Sequence, residues 1–394
     1  CELCVFNLLN CLDCLVYLAA VAQCSQGLGY PCSRRTSARL RVGAAQTGYR
    51  MPYKTNNIRN SRGFAMRLIK PALTALSAAI LFASATAMAD PITIKFSHVV
   101  AENTPKGQMG KKFQQLVEER LGDKVEVELY PSSQLYGDDK VLEAMLLGDV
   151  QLAAPSLSKF QKYTDQLQVF DLPFLFKDMG AVERFQSSET GQSLLTSLES
   201  KGLVGLGYLH NGMKQLSASS PLKTPGDADG KKFRIMTSDV LEAQFDAVDA
   251  VSLKKPFSEV FILLQTKAID GQENTYSNIY SQKFFEVQPY ITESNHGVLD
   301  YMVVSSARFW NGLSDDVRGE VKSALDEAIV YGNQLSEAKN MEAKQAIIDS
   351  GQSEIITLDD AQRQQWVDAM KPVWGEFAED IGQDIVDAAE AANQ

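Results

Sequence analysis

Arg234 sits at the edge of a short apolar strand in the segment GKKFRIM, just after the basic pair Lys231 and Lys232. A guanidinium is planar and permanently charged, and its fork matches a carboxylate through two parallel hydrogen bonds. Further along, the turn Asp270-Gly271 leads into Asn274, whose amide can donate to the same anion. A plainer reading stands beside this one: a surface arginine paired with an Asp or Glu, since most charged side chains are exposed and pair weakly. Lys214, in the run Asn211-Gly212-Met213-Lys214, follows a strand that can pass between two lobes. It reads either as a second cation for the anion or as a solvated lysine.

Other chemistry is sparse. The histidines are His98, His210 and His296, and each reads first as a hydrogen-bonded structural residue. His98 has an added claim, because the loop that carries it follows a strand and can face a cleft. No H-E-x-x-H, G-x-S-x-G or phosphate-binding glycine loop occurs. No serine has a base partner by spacing, so no catalytic residue, metal site or cofactor is expected. The residues favour a binding protein for a small anion over an enzyme.

The elements that must position these side chains alternate as in an α/β protein. Pro91 to Phe96 reads as a strand, Lys106 to Leu121 as an amphipathic helix ending at Gly122, and Val125 to Tyr130 as the next strand. That βαβ unit implies a parallel sheet with a right-handed crossover. Ligands of such sheets sit at the carboxyl ends of the strands, which puts the loop Ser97 to Lys106 at a candidate cleft. Gly137 to Leu147 reads as helix, Val150 to Ala154 as a short buried strand, Phe170 to Phe176 as a packed loop and Ala181 to Lys201 as helix. A strand from Gly202 continues past Gly212, as a strand passing from one domain to the other would. Lys231 to Met236 and Val251 to Lys255 read as extended, Val240 to Val248 and Phe257 to Lys267 as helices. Leu299 to Ser305 is a candidate return crossing. From Asp315, apolar residues recur at helical spacing up to Gly351, with Ser314 placed to cap the start. Such a helix exceeds about 45 Å at a rise of ~1.5 Å per residue, enough to lie across two domains. Leu358 to Ala378, with Trp366 and Trp374, is the last helical region expected.

Charge divides the chain. Residues 1–89 carry ten bases against two acids, and the remainder 28 bases against 47 acids, within a total of −11. Met66 to Lys70 is a short positive segment, Pro71 to Phe82 an apolar core, and Ala87-Met88-Ala89 a small-residue cleavage site. This is the pattern of an export signal, with cleavage after Ala89. The apolar core of about a dozen residues falls short of the ~20 that a spanning helix needs. Met66 is therefore the expected start, with Met51 as the alternative, and residues 1–65 are expected to be a non-native upstream extension. All six cysteines lie in 1–65, in pairs too close together for a zinc ribbon. Residues 90–394 contain none, and a chain of that size buries an adequate core without disulfides. Their acidity argues against nucleic acid as a partner.

From Lys95 onward the chain resembles the extracytoplasmic solute-binding proteins of TRAP transporters, in particular the C4-dicarboxylate-binding branch. The segments that carry the resemblance include KFSHVVAENTPKG (95–107), LYPSSQLYGDDKVLEAMLLGDVQLAAPSLSKF (129–160), FDLPFLF (170–176), NGMKQLSAS (211–219), DGKKFRIM (229–236), PFSEVFILLQTKAIDGQEN (256–274) and QKFFEVQPYITESNHG (282–297). The resemblance implies a two-domain α/β fold like that of periplasmic binding proteins, with hinge strands and a long domain-spanning helix. It implies domain I from 90–212 plus about 300–340, and domain II from 213–299 plus about 341–394. Arg234 would grip a ligand carboxylate, with Lys214 or Lys106 near the other, and Asn274, Phe257, Ser156 and His98 would line the pocket. The implied partners are a small organic anion and the small and large integral membrane subunits of the permease. A 2-oxo acid or sugar acid is the alternative ligand, and an exported hydrolase using His98 or His210 the alternative class. Thr275 stands where the family usually has proline, so a looser backbone is expected after Asn274. Lys214 replaces the arginine of sialic-acid binders, which points away from that ligand.

Overall fold

The computed structural model describes residues 90–394, so the export signal, the cysteine pairs and the 1–65 extension lie outside the described residues. Two sheets organise the chain. The first has the order β2-β1-β3-β10-β4, built from β1 (Ile92–Ser97), β2 (Val125–Tyr130), β3 (Leu152–Ala153), β4 (Leu203–Met213) and β10 (Val298–Ser306). The second has the order β11-β9-β5-β8-β6-β7. Its strands are β5 (Gln215–Ala218), β6 (Lys232–Ile235), β7 (Val251–Lys254), β8 (Gly271–Asn274), β9 (Tyr290–Glu293) and β11 (Glu354–Thr357).

The βαβ unit forms as its pattern requires. β1 runs parallel to both β2 and β3, and the helix Pro105–Leu121 crosses between them. Pro105 opens this helix, Thr104 accepts a hydrogen bond from Gly107 N at 3.3 Å, and the helix stops at Gly122. Proline at the first position and a short hydroxyl cap satisfy backbone groups that a helix end otherwise leaves bare. Met109, Phe113, Leu116 and Val117 recur at helical spacing and meet Phe96 and Val127 of the sheet.

The chain passes between the sheets twice. Only Lys214 separates β4 from β5. On return, β9 ends at Glu293 and β10 starts at Val298, paired with Met213. Lys214 N donates to Gly297 O at 2.8 Å, so the two crossings are bonded to each other. A third link is the helix Asp315–Ser350, whose 36 residues span about 54 Å. Its Ala324, Leu325 and Ala328 pack in the cluster that contains Met109 and Phe113, and its Ala343 and Ile347 pack with Ile279 and Phe284 on the side of the second sheet. Asn340 of this helix donates to Asn211 O and accepts from Ser277 N at 2.9 Å. One side chain thereby stitches the helix to the first crossing and to the second lobe.

Four expectations change on folding. Ala181 to Lys201 is two helices, Met179–Ser187 and Glu189–Leu194, broken at Ser188. Ser188 turns extended and caps the second helix, and the chain doubles back so tightly that a Cβ on Gly191 would stand 2.1 Å from Phe185 O. Ser314 sits at the start of the long helix, but its side chain bonds the carboxylate of Asp316 instead of a backbone amide. The end of the chain does not stay with the second lobe as 341–394 would require. The helix Asp360–Met370 does, through Trp366 Nε1 to Lys223 O. The helices Trp374–Ile381 and Gln383–Ala391, the latter not anticipated, return to the first: Ile381, Ile385 and Ala389 pack with Phe170 and Phe185. Trp374 Nε1 fixes this return by donating to Pro173 O at 2.8 Å. Finally, Thr275 does not loosen the backbone after Asn274. It is fully buried, and its hydroxyl accepts from Asn211 Nδ2 at 2.8 Å, a tether a proline could not supply.

Candidate ligand site

A cavity with about 460 Å3 of empty space lies at the carboxyl ends of strands from both sheets. The first lobe contributes Val99 and Val100 after β1, the turn Gly137-Asp138-Asp139, Ser156 and Lys159 after β3, and Tyr301 of β10. The second contributes Arg234 and Met236 of β6 and beyond, Phe257 after β7, Asn274 at the end of β8, and Asn278. The strand-end rule for parallel sheets therefore holds in both halves at once.

Arg234 is buried, at 2% exposure, and no carboxylate lies within ion-pairing distance among the described residues. Its Nε donates to Lys255 O at 2.9 Å, and the guanidinium lies 5.8 Å from the Phe257 ring centroid. Burial draws its pKa down to about 10, so it stays protonated at neutral pH. Neither Nη has a protein acceptor among the described residues. The fork is aimed by its Nε and its ring neighbour while its two ends are left for something else. The reading of Arg234 as a surface ion pair fails here.

Asn274 Oδ1 accepts from Thr275 N at 3.1 Å and from Asn278 Nδ2 at 2.8 Å. With the oxygen held, the amide NH2 is the end that faces the cavity, where it can only donate. Ser156 and Phe257 also stand on the wall. Ser156 Oγ donates to Ser158 Oγ at 3.3 Å, which donates to the buried Asp171 at 2.6 Å. Arg234, Asn274, Phe257 and Ser156 are thus brought together.

Three expected residues are not on the wall. Lys106 is buried behind it: Nζ donates to Ala154 O at 2.7 Å and lies 3.4 Å from the Tyr301 ring centroid. A carbonyl and an aromatic face occupy this ammonium, and burial lowers its pKa to about 8. Lys214 is fully buried and pairs with Glu273 at 2.8 Å. Glu273 also takes Gln244 Nε2 at 3.1 Å and His296 Nε2 at 2.8 Å. Ser294 Oγ, at 2.8 Å from His296 Nδ1, completes a neutral ring that donates at Nε2 and accepts at Nδ1. Lys214 therefore serves the crossing between the lobes. His98 is buried with its ring edge toward Phe96, and its Nδ1 has no partner among the described residues. Burial first, and then the charge of Lys106, pull its pKa to about 3. His210, the other candidate base, bonds Gln186 at 2.9 Å away from the cavity.

The His98 shift has a measurable consequence. The unfolded chain binds a proton at this histidine near pH 6.5, and the folded chain refuses it down to about 3. Stability is therefore fully present above pH 6.5 and declines below it, by up to about 1.4 kcal/mol per pH unit from this group. Urea titrations at pH 7, 6 and 5 should show that slope reduced in His98→Gln. An unchanged slope would reassign the loss to other groups.

Several wall residues were not singled out from sequence: Lys159, Asp138, Asp139, Asn278 and Tyr301. Asn278 follows Asn274 by one helical turn, and Lys159 follows Ser156 by three residues, so a helical reading of those loops would have found both. Lys159 pairs with Asp139 and reaches Thr237 Oγ1 at 3.1 Å. Thr237 in turn donates to Asp139 at 3.1 Å. Nearby, Asp239 N donates to Gln161 Oε1 at 2.9 Å, and the Gln161 amide bonds the Asp239 carboxylate. These contacts bridge the first lobe to the second along the outer edge of the cavity.

Two α/β lobes around a buried guanidinium with no carboxylate partner among the described residues are the architecture of a solute-binding protein. The family model described as "Bacterial extracellular solute-binding protein, family 7" matches residues 96–380, and the chain belongs to that family. A C4-dicarboxylate-binding periplasmic protein from Shewanella loihica is 63% identical over 335 residues, covering 85% of this chain and 99% of its own. One from Vibrio cholerae is 51% identical, covering 83% of this chain and 100% of its own. The crystal structure of a TRAP periplasmic solute-binding protein from Shewanella oneidensis with bound succinate superposes with a TM-score of 0.77 at 64% identity, over 77% of this chain and all of that one. A Pseudomonas aeruginosa counterpart with bound L-malate gives 0.71 at 46% identity, over 73% of this chain and all of that one.

Proposed function

We propose that this chain is the extracytoplasmic solute-binding subunit of a TRAP transporter. It captures a C4-dicarboxylate of the succinate or malate type in the cavity and delivers it to the membrane permease. The observation that carries this reading is Arg234, a buried guanidinium with its Nε anchored and both Nη groups without a protein acceptor among the described residues. A buried cation in that state is a carboxylate site waiting for its anion. Asn274 adds an amide donor beside it, and Phe257 supplies an apolar wall for the methylenes between two carboxylates. The bound states of the two Shewanella and Pseudomonas structures favour the same ligand class. The family is one of transport proteins, so binding and release replace turnover.

Capture follows from the two-lobed wall. A ligand that touches Arg234 and Asn274 on one side and Ser156 on the other binds the closed form better than the open one. It shifts that equilibrium by the difference in affinity and no more. The permease, with its small and large integral subunits, reads the closed form. Export through the signal at 66–89, cleaved after Ala89, delivers the chain to the periplasm.

A thermal-shift series with succinate, malate, fumarate, pyruvate and sialic acid tests the ligand class. A C4 acid at a hundred times its Kd should stabilise the protein by about 2.7 kcal/mol. Sialic acid and pyruvate should give much less. A larger shift with either of those two than with every C4 acid would move the ligand to another class.

A further inference from the structure

Asp138 poses a question that an anion-binding cavity should not contain. Its carboxylate lies on the same wall as Arg234 and has no ion-pair partner among the described residues. Its neighbour Asp139 is already taken by Lys159 and Thr237. Asp138 accepts the Ser156 N–H, and the charges of Lys106 and Lys159 act on it from the first lobe. Arg234 acts across the cavity, Tyr301 of β10 presents a phenol that stays protonated, and His98 behind the wall is neutral.

The charges around the cavity can be summed. On the wall and directly behind it, Lys106, Lys159 and Arg234 are cations and Asp138 and Asp139 are anions, which leaves one net positive charge, and the deeper Lys214–Glu273 pair cancels. A monoanion neutralises it. A dianion leaves one negative charge in excess, next to a carboxylate that has no ion-pair partner among the described residues. Two carboxylates sharing a small site cannot both stay ionised, and one proton shared between them resolves the conflict.

We infer that Asp138 makes dicarboxylate capture proton-linked: one proton enters with the dianion and is shared between Asp138 and the ligand carboxylate that Arg234 does not hold. This rests on the dicarboxylate reading above. The proton comes from solvent, only an O–H bond forms, and it returns to solvent when the lobes part. Removal from water already pushes the Asp138 carboxyl up from its ordinary range, which lowers the barrier to its taking the proton. Asp138 thereby sets specificity, because a second carboxylate is admitted only with its proton, while a monoanion needs none.

The test is titration calorimetry on the protein purified from the periplasm, with succinate, between pH 6 and 8, in pairs of buffers that differ in ionisation enthalpy. The expected result is uptake approaching one proton, with affinity falling about tenfold per pH unit where uptake is complete. Asp138→Asn should bind succinate with little uptake and a nearly flat profile. Lys106 can take up protons only near the top of this range, and that contribution persists in the variant, so the difference isolates the carboxylate. Monomethyl succinate, a monoanion, should bind the unaltered protein with no uptake, an arm that does not depend on the variant folding. Succinate binding without uptake at any pH overturns the inference and leaves the dicarboxylate reading standing. Equal uptake in Asp138→Asn also overturns it. Absence of any succinate heat would overturn the dicarboxylate reading and this inference with it.

Discussion

Replacing Arg234 with alanine is expected to weaken succinate binding by about thirtyfold to a few thousandfold, while the unliganded protein melts no lower than before. The first half follows from removing one partner of a buried charge pair, which costs about 2–5 kcal/mol, at 1.4 kcal/mol per tenfold. The second half is the more diagnostic. This guanidinium is buried, and among the described residues only Lys255 O bonds it, at Nε. It is a cost that the fold carries for the ligand's sake, and sites of that kind trade stability for function. Arg234→Lys should keep the charge and lose the fork, with an intermediate affinity. Calorimetry with succinate and a thermal melt without it measure both halves. A large fall in the unliganded melting temperature would make Arg234 a structural residue and remove it from the site.

Lys214→Met is expected to do the reverse. Lys214 and Glu273 are both buried to within 1% at the side chain and sit where the chain crosses between sheets. Breaking a buried pair by deleting one partner costs about 3–5 kcal/mol. For a chain of this size that is roughly 5–8 °C in melting temperature. The pH dependence should change with it. In the intact protein, despite burial that favours the neutral acid, Lys214 and then His296 hold the Glu273 carboxyl well below the usual carboxylate range. A depressed carboxylate contributes stability above its unfolded pKa of about 4.3, and that contribution is lost as the pH falls toward the folded value. Without Lys214, more of that loss should occur at milder pH. Denaturant titrations at pH 7 and pH 4.5 decide the point. An unchanged melting temperature together with a collapse in affinity would return Lys214 to the ligand.

How much of this could be read from residues alone depends on the range of the forces involved. The βαβ start, the strand that continues past Gly212 and the helix ending at Gly351 are written in local periodicity and caps, and they formed nearly as spaced. That Arg234 and Asn274 lie on the cavity wall could be anticipated for a different reason: both stand at or next to the carboxyl end of a strand, where the strands of a parallel sheet converge. Lys106, Lys214 and His98 are equally suggestive by type and by motif. Their contacts are with residues far away in sequence, Ala154 and Tyr301 for the first and Glu273 for the second. Asp138 and Lys159 stood in plain polar loops, where nothing local separates a wall residue from a solvated one. The final helices illustrate the same limit, since the partner of Trp374 Nε1 is Pro173 O, 201 residues back in the chain.

The bridge along the outer edge carries a further consequence, and it concerns time. Gln161 and Asp239 join the lobes at exposed or half-buried positions off the cavity wall, and Lys159 reaches from the wall to Thr237 of the other lobe. Contacts of this kind must break before the lobes part, so they set how long a captured solute dwells inside. The wall chooses which solute is held. The rim sets the escape rate, and a permease that competes for these same polar groups would hasten unloading without weakening selectivity.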